Sequence, residues 1–246
     1  MIPGSTPQDR RDEWFVPTIG PLRFRVFIGM LFLPYTGMVL SFTVMGSLLA
    51  EPLHWDRVAA IVVVYFLALG VGAHALDALG SKGGKPWGTL FSRPLLSAIA
   101  GVAVAVAYVI GGYYILTAAP WLAVVAAAEG FFLFAYNLEW FGGRFHTDAA
   151  FAVSWGVLPV LAGYVMQTND LSVPAVLLAL SMGLLSLVEI QASRPYKTLR
   201  RQARLTEEER GWMQRLERIL QAVSLAVMLL GLALLGSRWQ GMGLLP

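Results

Sequence analysis

Long apolar stretches alternate with short polar segments along the chain, and the polar segments carry most of the charged residues. Each apolar stretch has roughly 17 to 25 residues, the length that an α-helix needs to cross a ~30 Å hydrocarbon core. A soluble core would instead break into shorter runs with polar faces. We therefore predict an all-α fold, a polytopic transmembrane helical bundle of about seven spans. The predicted spans are 26–50, 57–79, 94–118, 120–137, 148–167, 171–192 and 217–236.

Basic residues are concentrated on one side of these spans. Of the 18 lysines and arginines, all but Arg57 and Arg238 fall in or beside the N-terminal segment and the connections 80–93, 138–147 and 193–216. Lysine and arginine are retained in the cytoplasm during membrane insertion. We therefore expect a prokaryotic-type inner (cell) membrane protein with its N-terminus in the cytoplasm and its C-terminus outside. Residues 1–25 form a cytoplasmic segment, and 26–246 form a single transmembrane domain.

Composition supports a membrane protein and excludes several kinds of site. The chain is 57% hydrophobic and 13% charged, about half the charge of a typical soluble domain. It has no cysteine, which removes disulfides, thiolate metal ligands and cysteine nucleophiles together. The net charge of +3 is placed beside spans, where it serves topology and anionic lipid rather than nucleic acid. The N-terminus lacks a short apolar region with a cleavage site, so we expect the first span to stay in the protein.

A separate amphipathic helix is predicted at about 205–218. Thr206 followed by Glu209 is typical of a capping box, with threonine at the helix cap and glutamate three residues later. Apolar side chains then fall on one side of the helix and arginines among its polar positions. We expect this helix to lie on the inner leaflet and then turn into the last span; it could instead bind a partner protein.

Acidic side chains within lipid are costly and are therefore functional candidates. Asp77 and Glu189 lie near the inner ends of the second and sixth spans, where they can build a polar pocket or simply reach head-group water. Glu129 is deeper and should face the bundle or be protonated. These acids give Asp77 and Glu189 as the candidate catalytic residues and as ligands for at most one metal ion.

Other polar side chains are predicted near the same membrane face. His74 precedes Asp77 by three residues, so the two share a helix face; a hydrogen bond between them is favoured over cofactor ligation by the histidine. Asn137, His146 and Asp148 either line a mouth on this face or are solvated loop and cap residues. The candidates for binding a substrate or lipid head group are His74, Lys82, Lys85, Arg93, Asn137, Tyr164, Arg194 and Lys197.

Three stretches resemble the UbiA superfamily of intramembrane prenyltransferases, most closely its menaquinone-pathway branch that prenylates dihydroxynaphthoate. His74 to Asp77, with Arg93-Pro94-Leu95 sixteen residues later, is similar to the family's first acidic motif and its Arg-Pro-Leu signature. Phe151 to Thr168 is similar to the span with Gly-Pro-Leu and Gly-Tyr-Tyr-x-Gln-Thr, with Tyr164 in register. Met182 to Leu199 is similar to the span with the second acidic motif and its Lys-Thr-Leu tail. The resemblance covers roughly residues 25 to 200 and implies a UbiA-like bundle.

The acidic motifs depart from the family pattern. Of the three aspartates in the family's first motif, only Asp77 remains, and the two of the second motif fall on Leu187 and Gln191. The family ordinarily has nine spans. Its carboxylates hold Mg²⁺ against the diphosphate of an isoprenyl donor, and Mg²⁺ requires oxygen ligands in near-octahedral geometry. A full two-cluster site is therefore excluded.

These features favour a UbiA-like protein without the metal-dependent reaction. It would bind an isoprenoid, a quinone or another long-chain lipid, either alone or as a subunit of a membrane complex, with no resident cofactor. The alternative is an active prenyltransferase with a reduced acidic site, which would need Mg²⁺. A small transporter is the second alternative, although the sequence shows no internal repeat and no paired broken helices.

Overall fold

The computed structural model describes residues 13–80, 90–202 and 204–241, and the regular structure within these ranges is entirely helical. The prediction of an all-α fold is therefore confirmed for this part of the chain. We number eight main helices in chain order: α1 (Leu22–Met30), α2 (Leu33–Leu48), α3 (Trp55–Gly80), α4 (Arg93–Thr117), α5 (Leu122–Asn137), α6 (Asp148–Thr168), α7 (Val173–Arg200) and α8 (Glu207–Gly241).

The lengths and hydropathies of these helices are those of a membrane protein. Five of the described helices (α3, α4, α6, α7 and α8) are long and apolar enough to cross a membrane, and α1 with α2 makes a sixth crossing if that bent pair is one span. The remaining predicted span corresponds to α5, which has 16 residues and is therefore about 24 Å long. The membrane-protein prediction is confirmed, while the count of seven spans stays a prediction.

The first predicted span is divided in two. The axes of α1 and α2 meet at 41°, and Phe32 between them has left-handed backbone angles of φ 48° and ψ 54°. Pro34 lies in the first turn of α2, where its missing N–H costs nothing. In a continuous helix, its ring would clash with the carbonyl of Met30. The bend therefore follows from the position of this proline.

Two spans contain a π-helical segment that the sequence pattern did not predict. These segments are Phe66–Ala73 within α3 and Val153–Val157 within α6. The π-helix has one more residue per hydrogen-bonded turn than the α-helix, and such segments are frequently found at functional sites. Each helix continues after its segment, so the spans are widened locally and not broken.

The centre of the bundle is the contact between α2 and α6. A Cβ on Gly46 would meet the backbone carbonyl of Val160, and one on Gly163 would meet the carbonyl of Thr43. Ser47 donates a hydrogen bond to the Gly163 carbonyl across the same contact at 3.2 Å. The absent side chains let the two backbones approach closely, which is how helices associate in lipid.

Helix α8 differs from the prediction. The capping box is confirmed, because the Thr206 N–H donates to Glu209 Oε2 at 2.8 Å and the Glu209 N–H donates to Thr206 Oγ at 3.2 Å. From there the helix runs without interruption from Glu207 to Gly241 over 35 residues. The predicted turn between a surface helix and the last span is absent, and the segment contains no proline that would interrupt the helix.

The two ends of the bundle differ in charge. At the end where α3 begins and where α2, α6 and α8 finish, which we call the far end, Arg57 and Arg238 bind backbone carbonyls. Arg57 donates to Gln167 O at 2.9 Å, at the last turn of α6, and Arg238 donates to Leu48 O at 2.7 Å, at the last turn of α2. Cations are favourable at these positions because the last carbonyls of a helix lack partners.

At the opposite end, which we call the basic end, the N-terminal segment packs against α7 and the α1–α2 bend. The Tyr196 hydroxyl donates to Glu13 Oε2 at 2.8 Å, and both residues are buried. The rings of Phe15 and Phe32 lie 4.2 Å apart, edge to face. The residues from Glu13 to Leu22, within the predicted N-terminal segment, are thus attached to the bundle.

Candidate functional site

A cavity of about 390 Å³ lies at the basic end. It is bounded by the α1–α2 bend, the last turn of α3, the end of α5, the first turns of α6 and the end of α7. Its walls are largely aromatic, and apart from Ile190 its remaining lining is polar or charged. The lining residues are Phe32, Tyr35, His74, Asp77, Tyr136, Asn137, His146, Phe151, Trp155, Ile190, Arg194, Lys197, Thr198 and Arg201.

Stacked ring pairs form the aromatic walls. Phe32 stacks on Tyr35 at 4.1 Å between ring centroids, and Phe151 stacks on Trp155 at 5.3 Å with the ring planes 8° apart. A third pair joins Tyr136 to the ring of His146 at 4.4 Å. Rings that pack on one another keep fixed orientations. The cavity therefore presents flat apolar surfaces to a bound molecule.

Unusual backbone conformations surround the cavity. The left-handed Phe32 is on one wall, where an L-residue with a large side chain is rarely found in this region of φ and ψ. His74 follows directly after the π segment of α3, and Trp155 is inside the π segment of α6. The wider turns bring these two rings to 5.3 Å from each other. The local irregularities of the helices thus coincide with the cavity.

Basic side chains come from one face of α7. Arg194, Lys197 and Arg201 are spaced three and four residues apart, the spacing that places side chains together on a helix. Arg194 forms an ion pair with Asp148 at 2.7 Å and donates to the His146 carbonyl at 3.1 Å. The Lys197 ammonium lies 5.6 Å from the Phe32 ring centroid, a distance typical of a cation–π contact.

Five of the predicted binding or catalytic residues come together here. His74 and Asp77 reach the cavity from α3, Asn137 from α5, and Arg194 and Lys197 from α7. His146 also lines the cavity, and Asp148 is held in the ion pair with Arg194. The cavity thus lies at the ends of α3 and α7 that carry His74, Asp77, Arg194 and Lys197.

Other predicted residues are elsewhere. Lys82 and Lys85 lie outside the described residues. Arg93 is exposed at the start of α4, and Tyr164 is on α6 one turn before its far end; neither lines the cavity. Glu189 is only 2% exposed and is not among the lining residues, although the adjacent Ile190 is. One of its oxygens, Oε1, has no hydrogen-bond partner among the described residues.

The donor set does not fit a two-cluster magnesium site. Asp77 is the single carboxylate among the described residues that line the cavity, and Glu189 does not face it. Nowhere in the described ranges do three or more histidine or acidic side chains gather in a way that could hold a metal ion. The histidines and basic groups of this cavity are instead suited to binding oxygen atoms of a ligand directly.

Sequence reasoning missed most of the aromatic walls. Phe32, Tyr35 and Tyr136 look like ordinary core residues in an apolar span, and their role follows from the bend and the π segments, which propensity does not reveal. Thr198 and Arg201 could have been predicted from the sequence. Each follows a predicted residue, Arg194 or Lys197, by four positions, and this spacing places side chains on the same helix face.

Comparisons with known proteins give no relative. No family model matches the chain, and neither the curated proteins nor the solved structures contain a match to it. Its function is therefore inferred from the cavity itself.

Proposed function

We propose that the protein binds the head group of an isoprenoid quinone, or of a similar long-chain lipid with a flat polar head, in the cavity at the basic end. The proposal follows the UbiA resemblance for the fold and departs from it for the chemistry, since it involves no diphosphate ionisation. The single observation that carries it is the pairing of flat aromatic walls with basic side chains in one cavity of a membrane-embedded bundle.

The aromatic walls support a planar head group. A quinone ring can stack on the exposed face of the Phe151–Trp155 pair or of the Phe32–Tyr35 pair. A cavity of about 390 Å³ is within the usual size of small-molecule sites. A lipid with a compact charged head group and no ring would leave the faces of these aromatic pairs without a stacking partner.

The basic side chains support a head group that carries oxygen acceptors. Arg194 is oriented by Asp148 and the His146 carbonyl, and Lys197 extends over Phe32. Quinone carbonyls or a ring carboxylate can accept hydrogen bonds from such donors, and bonds to charged donors are stronger than neutral ones. Asp77, across the cavity, can accept a hydrogen bond from the reduced, hydroxyl-bearing form of the ring.

The topology in this proposal places the basic end in the cytoplasm. It treats α5 as a short seventh crossing, so that the C-terminus is outside. The distribution of lysines and arginines supports this orientation, because Arg57 and Arg238 are the only ones at the far end among the residues that the structure describes, and both bind backbone carbonyls there.

Direct binding of a short-chain quinone tests the proposal. The full chain is reconstituted in lipid nanodiscs, and the affinity for a quinone with two isoprene units is measured by calorimetry. Trp155→Leu and Lys197→Gln should each weaken binding by about tenfold, the scale of one aromatic contact or one charged hydrogen bond. The matched controls are Tyr164→Phe and Arg93→Gln, which change residues of the same types outside the cavity and should leave the affinity unchanged.

Two outcomes would contradict the proposal. One is binding that is unaffected by Trp155→Leu and Lys197→Gln while the controls weaken it. The other is release of diphosphate from a polyprenyl diphosphate in the presence of Mg²⁺ and an aromatic acceptor, abolished by Asp77→Ala, which would establish the prenyltransferase alternative.

A further inference from the structure

A second opening lies in the membrane-facing surface of the bundle, between α4 and α5. It is a groove with about 100 Å³ of free space, open on one side to the surface. Its floor is formed by α3, and Ala162 of α6 closes the back. Its lining is apolar except for Tyr65, Tyr108 and Glu129. None of the residues that line it belongs to the cavity at the basic end.

Two adjacent glycines open the groove. Gly111 and Gly112 both line it, and a Cβ built on either would have no heavy atom within 4 Å. These glycines are therefore not required by close helix packing, unlike Gly46 and Gly163. Their missing side chains leave space that the neighbouring helix does not fill.

A carboxyl group lies in this groove in a fixed position. The Tyr65 hydroxyl, on the buried wall of α3, donates to Glu129 Oε1 at 2.8 Å. The other oxygen, Oε2, has no hydrogen-bond partner among the described residues. A carboxyl group in the apolar interior of a membrane is costly unless it is paired, and such residues are usually functional. One oxygen of this group is thus paired within the protein, and the other is buried and unpaired in a residue that lines the groove.

We propose that the α4–α5 groove is a second ligand site, which binds a membrane-soluble alcohol through a hydrogen bond between its hydroxyl and Glu129 Oε2. A hydroxyl can both donate and accept, so it fits the carboxyl whether or not the carboxyl is protonated. The apolar lining accommodates a hydrocarbon chain, which continues through the open side into the bilayer.

Two other occupants fit the groove less well. An ammonium or metal cation would face a single carboxylate among the described groove residues, with apolar surroundings that do not solvate charge. An acyl chain alone would fill the space but leave Oε2 without a partner. An alcohol satisfies both the apolar surface and the remaining oxygen.

Photocrosslinking tests the site. The full chain in nanodiscs is irradiated with a twelve-carbon alcohol that carries a diazirine on its chain, and labelled peptides are identified by mass spectrometry. 1-Dodecanol and n-dodecane then compete at equal membrane mole fractions. Labelling should fall on the α4 and α5 segments beside Gly112 and Glu129, with the alcohol competing at about tenfold lower mole fraction than the alkane, the effect of one hydrogen bond.

Variants separate hydroxyl recognition from simple partitioning. Glu129→Leu should abolish the advantage of the alcohol over the alkane, whereas Glu129→Gln, whose amide also donates and accepts, should retain most of it. Gly112→Leu should fill the groove and prevent labelling. Gly101→Leu is the matched control on the same helix, because its position is also open and does not line the groove.

Three results would overturn the proposal. They are labelling outside the groove, equal competition by alcohol and alkane in the unaltered protein, and an unchanged alcohol advantage in Glu129→Leu. The test is independent of quinone binding, since Trp155→Leu should not alter alcohol labelling. Failure of one proposal therefore leaves the other standing.

Discussion

The imidazole of His74 lies 5.3 Å from the indole of Trp155, and each ring is positioned by a π-helical segment of its own span. In regular α-helices, each side chain would be rotated away from its present direction, because the π turn adds a residue to the helical cycle. The contact shows that the two irregular spans meet at the cavity. The shape of the site thus depends on departures from ideal helix geometry.

This contact gives a prediction about the role of His74. If the histidine acts as an aromatic wall, His74→Phe should retain quinone affinity, whereas His74→Ala should lower it several-fold by removing the ring contact. Calorimetry in nanodiscs measures both. Equal losses in the two variants would instead assign the histidine a hydrogen-bonding role toward the ligand.

The glycines at the α2–α6 contact should be sensitive to the smallest substitution. Gly163→Ala places a methyl group against the Thr43 carbonyl and should lower the free energy of unfolding by about 1–3 kcal/mol through overpacking. The control is Gly101→Ala, where a Cβ has open space and the helix gains stability. Thermal unfolding in detergent distinguishes them, and an undamaged Gly163→Ala variant would mean that these helices do not pack so closely.

Removing the arginine that binds the end of α6 should destabilise the far end. Arg57→Gln loses the bond to the Gln167 carbonyl and should cost about 1 kcal/mol. Arg144→Gln, an exposed arginine on the other side of the bundle, serves as the comparison and should change little. Hydrogen exchange at the last turn of α6 locates the effect. Unaltered exchange there would show that solvent replaces Arg57 without cost.

The natural absence of cysteine makes topology directly measurable. Asp170→Cys and Gln202→Cys introduce single thiols at exposed positions on either side of α7. In intact cells, an impermeant maleimide should label the first and not the second, which should react only after permeabilisation. The reverse pattern would invert the proposed orientation without affecting the fold.

The start of α8 gives a local stability prediction. Thr206→Ala removes the hydroxyl that accepts from the Glu209 N–H and should cost about 1 kcal/mol of helix stability. Thr206→Ser keeps the cap and is the control. Amide exchange over the first turn of α8 should increase in the alanine variant alone. If serine and alanine behave alike, the cap contributes nothing measurable.

Hydrophobic length predicted most of the helices, and it failed where single residues change the backbone path. Spans such as α4 and α7 have continuous apolar sequences, so their existence follows from composition alone. The division at Phe32 depends on one proline, and the π segments depend on tertiary packing that a periodicity argument does not include. The predicted turn before the last span failed for a related reason, because the change from amphipathic to uniformly apolar sequence does not require a change in direction.

The charged part of the cavity was more predictable than its apolar part. Asp77 could be identified because ionisable side chains are rare within membrane spans, and Arg194 and Lys197 because they follow the predicted end of the sixth span. Aromatic residues make up 12% of the sequence. The sequence alone does not distinguish those that line the cavity, such as Phe32 and Trp155, from those that only pack in the core. Glu189 is next to the lining residue Ile190 but is not itself a lining residue, because one residue along a helix rotates the side chain by about 100°.

The unbroken course of α8 has a mechanical consequence. Its 35 residues make a rod about 52 Å long, and even a 40° tilt leaves about 40 Å along the membrane normal, more than the hydrocarbon thickness. The rod therefore protrudes from the bilayer. Because Gly231 of this rod packs against Ser41 of α2, the protruding helix is joined directly to one of the two helices at the centre of the bundle.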